Sequence, residues 1–275
     1  MSVLHKQPAF NNVVAGSTAS ITNLHQGDTC EGLILKLGGT TFTKALMDAI
    51  RVKLGGKAIV DGLSGSQIDT VNQYMGRTAN AAYLFIHFSD PNARTIDGEG
   101  IGGIDTSLRY GSFSIEVDIN AGAVAPTLEC WMLKRPAQQG KPERAVFRAY
   151  TKSTQSISAA GAYSMQPSVG SLAGNLINRI HFFHANITQL DVKKNGLDIQ
   201  DQGEVGLIQF LQNELNRTTQ AGHFVYDPIF DNNQSNAVST TRPDGNPAPL
   251  EFRATLSAAD TVIMVGEIYT SIDRI

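Results

Sequence analysis

Cysteine is almost absent from this sequence, which contains only Cys30 and Cys130. Two cysteines do not make the framework of several bridges that stabilises small secreted domains. A single bridge between them is the alternative, but we expect two free, buried thiols in a reducing compartment. Each half of the 275-residue chain is long enough to be stabilised by a hydrophobic core alone.

Charge and long apolar runs are also scarce. Charged residues make up 17% of the chain and the formal net charge is −3, so nothing attracts it generally to nucleic acid. No run approaches the roughly 18 apolar residues of a membrane-spanning helix. Residues 1–8 lack the apolar region of a secretory signal. With 41% hydrophobic residues, this composition suits a protein whose surface is largely covered by neighbours.

No set of residues resembles a catalytic site. His181 and His184 are three positions apart in a predicted strand, where they point to opposite faces and do not share a metal ion. Ser64 lies in a Gly-Leu-Ser-Gly-Ser context, which misses the Gly-x-Ser-x-Gly nucleophile elbow. We therefore predict that the protein is not an enzyme and that it requires no cofactor.

One glycine-rich loop gathers three carboxylates, from Asp97, Glu99 and Asp105. Oxygen ligands in such a loop are typical of calcium sites, so calcium is the ion that we expect if this loop binds one. The loop is not an EF-hand, because the twelfth position counted from Asp97 is Leu108, where an EF-hand requires glutamate.

The stretch at residues 50–61 recurs at residues 190–201, and this repeat organises the chain. Val, Lys, Gly, Ile and Asp recur in both copies at a constant offset of 140 residues. Gly55–Gly56 in the first copy and Asn195–Gly196 in the second accept positive φ at two successive positions, as a two-residue hairpin turn requires. Each copy is therefore predicted to be a β-hairpin.

The repeat continues beyond the hairpin. Each half is predicted to have about eight short strands, one helix after the hairpin and one long loop, an order typical of a jelly roll. The first helix is predicted over residues 64–76, capped by Ser64 or Ser66. The second carries an apolar stripe that we expect to pack on the sheet, formed by Val205, Ile208, Leu211 and Leu215. The predicted fold class is all-β, with two tandem eight-stranded jelly rolls.

The domain boundaries follow from composition. Residues 1–15 contain polar residues and one proline and are expected to form an arm or loop. The stretch 134–144 contains two prolines, a glycine and four cations, which are typical of a connection between domains. We predict a first jelly roll at residues 1–135, a linker at 136–146 and a second jelly roll at 147–275.

The order of these elements resembles that of a known family. Residues 12–21, the hairpin 51–56, the strand 83–88 and the segment 114–122 are similar to the matching parts of corticovirus-type major capsid proteins. These proteins build the shells of tailless, membrane-containing icosahedral bacteriophages. The similarity is clearest over residues 12–135, and the second half follows in the order of its elements more than in identity.

The resemblance implies a viral major capsid protein. Such a protein forms pseudo-hexagonal homotrimeric capsomers that tile an icosahedral shell over an internal membrane. The implied partners are neighbouring capsomers, penton proteins and membrane-associated virion proteins, without direct contact with nucleic acid. The implied location is the virion capsid, assembled in the host cytoplasm. A pseudo-sixfold tile of three chains needs two similar domains per chain, and the repeat supplies them.

Two other classes of protein fit parts of the sequence. Tandem jelly rolls also bind carbohydrates or receptors, but carbohydrate sites usually present aromatic platforms on loops. Aromatic residues are only 7% of this chain, and its single tryptophan, Trp131, falls in a predicted strand. A cupin-like enzyme would need two histidines in a His-x-His pair on one face of a strand, which the chain lacks. The sequence therefore favours a capsid protein.

Overall fold

Short β-strands are the main secondary structure of the chain, as the sequence predicts. The computed structural model describes residues 2–91, 100–108, 110–137, 145–169 and 174–275. The first half contains helix α1 (Gly65–Tyr74) and strands β1 (Val3–Lys6), β2 (Thr18–Ile21), β3 (Thr29–Gly38), β4 (Met47–Leu54), β5 (Lys57–Leu63), β6 (Tyr83–His87), β7 (Ile104–Asp105), β8 (Phe113–Ile119) and β9 (Thr127–Arg135). The second contains helix α2 (Val205–Glu214) and strands β10 (Phe147–Ile157), β11 (Gly161–Met165), β12 (Leu176–Phe183), β13 (Ile187–Lys194), β14 (Leu197–Glu204), β15 (His223–Tyr226), β16 (Val238–Ser239), β17 (Leu250–Leu256) and β18 (Asp260–Thr270).

Each half is a jelly roll. In the first half one sheet has the order β1-β9-β3-β6, with the short β7 beside β3, and the facing sheet has the order β5-β4-β8-β2. The second half repeats this order, with β10-β18-β12-β15 in one sheet and β14-β13-β17-β11 in the other. Because the chain crosses between the sheets, each half encloses a core between two four-stranded layers. The predicted all-β fold of two eight-stranded jelly rolls is confirmed.

The two predicted hairpins are present with the expected turns. Gly55 and Gly56 have φ of 58° and 83°, and Asn195 and Gly196 have φ of 53° and 78°. A side chain at Gly55 would also lie too close to the backbone, because a Cβ there would be 2.7 Å from the Tyr110 carbonyl oxygen. Both turns therefore need the residue types that the sequence places there.

The core follows the two-residue period of the strands. In β8 every second side chain is buried, and these are Phe113, Ile115, Val117 and Ile119. Burying each such side chain contributes about 1.5–3 kcal/mol. The intervening residues face outward, where Glu116 lies 2.7 Å from Lys53 and Asp118 lies 2.8 Å from Arg51. Strand alternation thus separates an apolar interior from a surface of paired charges.

The N-terminal segment is not the arm that its polarity suggests. Residues Val3–Lys6 form β1, which pairs antiparallel with β9 from Val3 opposite Lys134 to Lys6 opposite Trp131. Phe10, farther along, is buried in the core. The prediction was wrong because β1 lies at the edge of a sheet and both of its faces are mostly exposed. Its backbone hydrogen bonds to β9 keep it in the sheet, so it needs no apolar pattern.

Both cysteines are free and buried, as predicted. Burial raises the pKa of Cys130 to about 12. Burial and the neighbouring Cys130 raise the pKa of Cys30 even further. Both thiols therefore stay protonated and inert at neutral pH.

The apolar stripe of α2 is not buried against the sheet, so that prediction was wrong. Leu211 and Leu215 are 49% and 37% exposed, and Leu207 and Phe210 are more than half exposed. Val205 and Ile208 are only partly buried. In α1, by contrast, Ile68, Val71 and Met75 are all buried. An amphipathic pattern predicts an apolar face, but it does not say what covers that face.

The predicted domain boundaries fall between β9 and β10. Strand β9 ends at Arg135 and β10 begins at Phe147, while residues 138–144 of the predicted linker lie outside the described residues. The division at 1–135, 136–146 and 147–275 therefore stays a prediction. In the described part of the chain, no helix is both long and apolar enough to cross a membrane.

The start of α1 gives a first testable prediction. Ser64 accepts a hydrogen bond from the Gln67 backbone nitrogen at 3.2 Å, and the Gln67 side chain accepts one from the Ser64 nitrogen at 3.0 Å. Removing the hydroxyl in Ser64→Ala should lower the free energy of unfolding by about 1 kcal/mol, measured by urea denaturation. Glu204 caps α2 without a side-chain bond, so Glu204→Ala is the matched control. Equal losses for the two variants would contradict the prediction.

Candidate functional site

The junction between the jelly rolls is the most elaborate site in the described residues. Strand β5 of the first half and β10 of the second run parallel, with Val60 opposite Tyr150. This contact joins one sheet from each half into a continuous layer. The Tyr150 hydroxyl also donates a hydrogen bond to the His87 carbonyl oxygen at 2.7 Å.

Helix α1 of the first half covers the outer face of the second-half sheet. Tyr74 and Met75, at its end, form a small apolar cluster with Val225 of β15. The Tyr74 ring meets the rings of His181 and His223 edge-on, with centroids 5.8 and 5.9 Å apart. The Tyr74 hydroxyl donates to Asp227 at 3.1 Å. One helix thus connects the core of the first half to the sheet of the second.

A cluster of buried charges lies beneath this helix. It contains three arginines and three carboxylates, each at most 6% exposed: Arg148, Arg179, Arg217, Asp90, Asp227 and Glu267. Arg179 lies 3.1 Å from both Asp227 and Glu267, and Arg217 also lies 3.1 Å from Asp227. Arg148 is 3.5 Å from Asp90, which the first half supplies. The equal numbers of opposite charges allow them to remain buried.

His181 turns into this cluster rather than acting as an ordinary strand residue. Its Nε2 lies 3.1 Å from Glu267, and its Nδ1 lies 3.0 Å from Nε2 of His223, whose ring stacks on it. His184 lies just beyond the end of β12, where its Nδ1 accepts a hydrogen bond from the Ile187 nitrogen. The prediction that both histidines occupy a strand was therefore wrong for His184.

The surroundings set the protonation states of the cluster. Burial by itself would raise the pKa of Glu267, but Arg179, the hydrogen bond to His181 and Arg148 hold it well below its usual range. Burial and the neighbouring His181 lower the pKa of His223 well below 6.5. Burial and the nearby Arg77 do the same to the pKa of His87. At neutral pH the carboxylate is therefore ionised, and His87 and His223 are neutral.

The corresponding face of the first-half sheet is open. A groove of about 760 Å³ lies there, between α1 and the sheet that contains β1, β9, β3 and β6. Its lining combines apolar side chains with cations: Ile34, Phe85, Trp131, Lys36, Lys44 and Arg77. The Lys6 ammonium lies 5.4 Å from the centre of the Trp131 ring.

The calcium prediction is not tested by this structure. Asp97 and Glu99 lie outside the described residues. Asp105 lies in β7, is buried, and accepts hydrogen bonds from the Ser107 nitrogen and hydroxyl at 3.0 and 2.6 Å. Within the described ranges, no three His, Cys, Asp or Glu side chains are arranged to hold a metal ion. Calcium at this loop stays a prediction.

Sequence reasoning missed the buried charges, although a signal was present. Arg179 stands between Ile177 and Ile180, and Glu267 stands between Val265 and Ile268, all in strands that are otherwise largely apolar. A charged residue inside a buried strand requires a partner of opposite charge. The partner itself could not be identified from the sequence, because the two strands meet only in the folded sheet.

The charge balance of the junction gives a second prediction. Glu267→Gln keeps the shape of the side chain but leaves only two carboxylates, Asp90 and Asp227, for the three buried arginines. We expect the free energy of unfolding to fall by about 3 kcal/mol or more, because an uncompensated charge then remains buried. Urea denaturation followed by circular dichroism measures the loss. Glu129→Gln, which removes an exposed ion pair with Lys6, is the control and should change little. If Glu267→Gln left the urea midpoint of unfolding unchanged, Glu267 would not be needed to balance the buried arginines.

The neutral histidines give a third prediction. His87 and His223 resist protonation in the folded protein, whereas the unfolded chain binds protons below a pH of about 6.5. The free energy of unfolding should therefore fall as the pH drops below that value, by up to about 1.4 kcal/mol per pH unit for each histidine. Glu267 should add a further loss below a pH of about 4.5, where the unfolded chain protonates it first.

Urea denaturation at pH 7.5, 6.5 and 5.5 measures this dependence. A variant that combines His87→Gln with His223→Gln should show a smaller slope, whatever its stability at pH 7.5. The same slope in the variant as in the natural chain would assign the effect to other groups.

Comparison with protein families identifies both halves. The family model for the viral coat protein P2 N-terminal domain matches residues 4–139, and the model for the viral coat protein P2 C-terminal domain matches residues 147–272. A comparison with curated protein sequences gave no match.

Solved structures show the same fold. The major capsid protein P2 from Bacteriophage PM2 superposes with a TM-score of 0.86 at 16% identity, covering 98% of each chain. The STIV MCP superposes with a TM-score of 0.70 at 11% identity, covering 99% of this chain and 97% of that one. PBCV-1 VP54, fitted into a reconstruction of the virophage Sputnik, superposes with a TM-score of 0.63 at 10% identity, covering 98% of this chain and 94% of that one. With two family models that together span most of its length, the chain belongs to the viral coat protein P2 family, a family of capsid structural proteins rather than enzymes.

Proposed function

We propose that this capsid protein is a major capsid protein whose chains associate as homotrimers. Each trimer is a pseudo-hexagonal capsomer, and the capsomers tile an icosahedral shell over an internal membrane. The observation that carries the proposal is the side-by-side packing of two jelly rolls with the same strand order, one covering the sheet of the other through α1. Three such chains supply six similar units, the number that a six-sided tile needs.

The proposed partners follow from this arrangement. They are the other two chains of the trimer, neighbouring capsomers, penton proteins at the fivefold vertices and membrane-associated virion proteins. Direct contact with nucleic acid is not part of the proposal, because the membrane lies between shell and genome and the net charge is −3. The protein is located in the virion capsid, and we propose that it assembles in the host cytoplasm.

A tandem jelly-roll protein that binds a carbohydrate or receptor is the second candidate. The observation that favours it is the open groove, where Trp131, Tyr83 and Phe85 line one cavity. Aromatic faces bind sugars well, and this groove is large enough to hold one. Such a protein would not need to form a closed trimer.

The solution mass separates the two candidates. Light scattering on the purified full chain should give three times the chain mass of 29.6 kDa. Electron microscopy of that species should then show hexagonal outlines. A monomer at every concentration would overturn the trimer and favour the carbohydrate-binding protein.

A further inference from the structure

The two halves use matching positions for matching contacts, at the offset of 140 residues. Asn72 in α1 donates to the Phe85 carbonyl oxygen at 2.8 Å, and Gln212 in α2 donates to the Val225 carbonyl oxygen at 2.8 Å. The bridge of Asn80 with Tyr83 recurs as the bridge of Gln220 with His223. In the segments that run from α1 to β6 and from α2 to β15, positions 140 residues apart therefore occupy equivalent places.

The surface that α1 covers in the second half has an open equivalent in the first. The covered residues His223, Val225 and Asp227 correspond to Tyr83, Phe85 and His87. Those three residues all line the groove. Ile34 pairs with Phe85 as His181 pairs with Val225, so Ile34 takes the place of His181. The groove is thus the place where a helix like α1 would lie.

Helix α2 is the uncovered equivalent of α1. Tyr74 and Met75, both buried at the junction, correspond to Glu214 and Leu215. Leu215 is 37% exposed and Glu214 is also exposed. Thr70, whose carbonyl oxygen accepts a hydrogen bond from Gln220 at 2.9 Å, corresponds to Phe210, which is 58% exposed. The positions through which α1 contacts the second half are therefore exposed in α2.

The charges of the two surfaces are complementary. In the second half Arg217 lies against the carboxylate of Asp227, which also accepts the Tyr74 hydroxyl. In the first half Arg77 replaces Arg217, but His87 stands where Asp227 would supply the carboxylate. Nη2 of Arg77 is buried and has no hydrogen-bond partner among the described residues. An α2 helix in the groove would bring Glu214, in the place of Tyr74, toward this guanidinium.

We propose that α2 of one copy docks into the first-half groove of the next copy. Glu214 faces Arg77, and the apolar side chains Phe210 and Leu215 cover the first-half surface that contains Ile34 and Phe85. The occupant of the groove is thus a second copy of this chain. Its contact is equivalent to the one that joins the two halves within one chain. The inference rests on the proposed trimer, because three such contacts close a ring of six jelly rolls.

Disulfide trapping in the full chain tests the pairing directly. Asn80 and Phe210 correspond to Gln220 and Thr70, which touch within one chain, so Asn80→Cys combined with Phe210→Cys places two thiols at the proposed contact. Mild oxidation should give covalent species of two and three chains on a non-reducing gel. Each single variant is a control and should stay at one chain under the same conditions, since Cys30 and Cys130 are buried. A double variant that forms no covalent oligomer would overturn the pairing.

Charge reversal on the exposed face of α2 tests its energetic role. Glu214→Lys places a cation against Arg77 and should weaken trimer formation about tenfold or more, measured by light scattering over a dilution series. Val124→Lys, at an exposed position on neither surface, is the matched control and should leave the midpoint unchanged. A Glu214→Lys variant with the trimer affinity of the natural chain would overturn the charge contact.

The failure of this inference can be told apart from the failure of the proposed trimer. A natural chain that forms trimers, together with negative results from both tests, would overturn the α2 contact and leave the trimer standing. A natural chain that stays monomeric would overturn both. If a trimer bound a soluble oligosaccharide in the groove and Glu214→Lys had no effect on the trimer, the groove would be a carbohydrate site instead.

Discussion

The arrangement of this protein depends on a set of opposite charges buried where its two jelly rolls meet. Arg148 and Arg179 come from strands of the second half, and Asp90 comes from the first, so neither half can neutralise the set without the other. A charge that leaves water is tolerated only where its partners are fixed in position. Tyr74 of α1 closes the junction and contributes its hydroxyl to Asp227. The relative position of the two halves therefore involves these charges as well as apolar packing.

The two jelly rolls share a fold but differ in what covers them. The first-half helix is buried against a sheet of the second half, and the second-half helix exposes an apolar face. The copies differ at these positions, where Tyr74 corresponds to Glu214 and Asp227 corresponds to His87. In the proposed trimer, the duplicated domain would use one contact geometry both within a chain and between chains, with the side chains adjusted to each case.

The sequence predicted the local structure well where one physical requirement dominates. Asn195 and Gly196 have the positive φ that their residue types favour, and Ser64 caps α1 as its position before an apolar run suggests. The prediction was wrong where a neighbour decides the outcome. Strand β1 lacks an apolar pattern because it needs only the hydrogen bonds of β9, and no propensity reveals such a partner. The stripe of α2 was assigned to the core because periodicity reports an apolar face and not its cover.

The sequence by itself determined the duplicated plan of this protein: hairpin, helix and strands recur in the same order, because each is set by short-range turn chemistry and by the alternation of apolar residues. The family resemblance could be recognised from the same order of elements. Only the tertiary structure decided which charged residues are buried together, which histidine lies among them, and which helix remains uncovered. Those outcomes depend on strands far apart in the chain, such as β12 and β18, whose pairing brings Arg179 to Glu267. Long-range pairing of this kind leaves no periodic signal in the sequence.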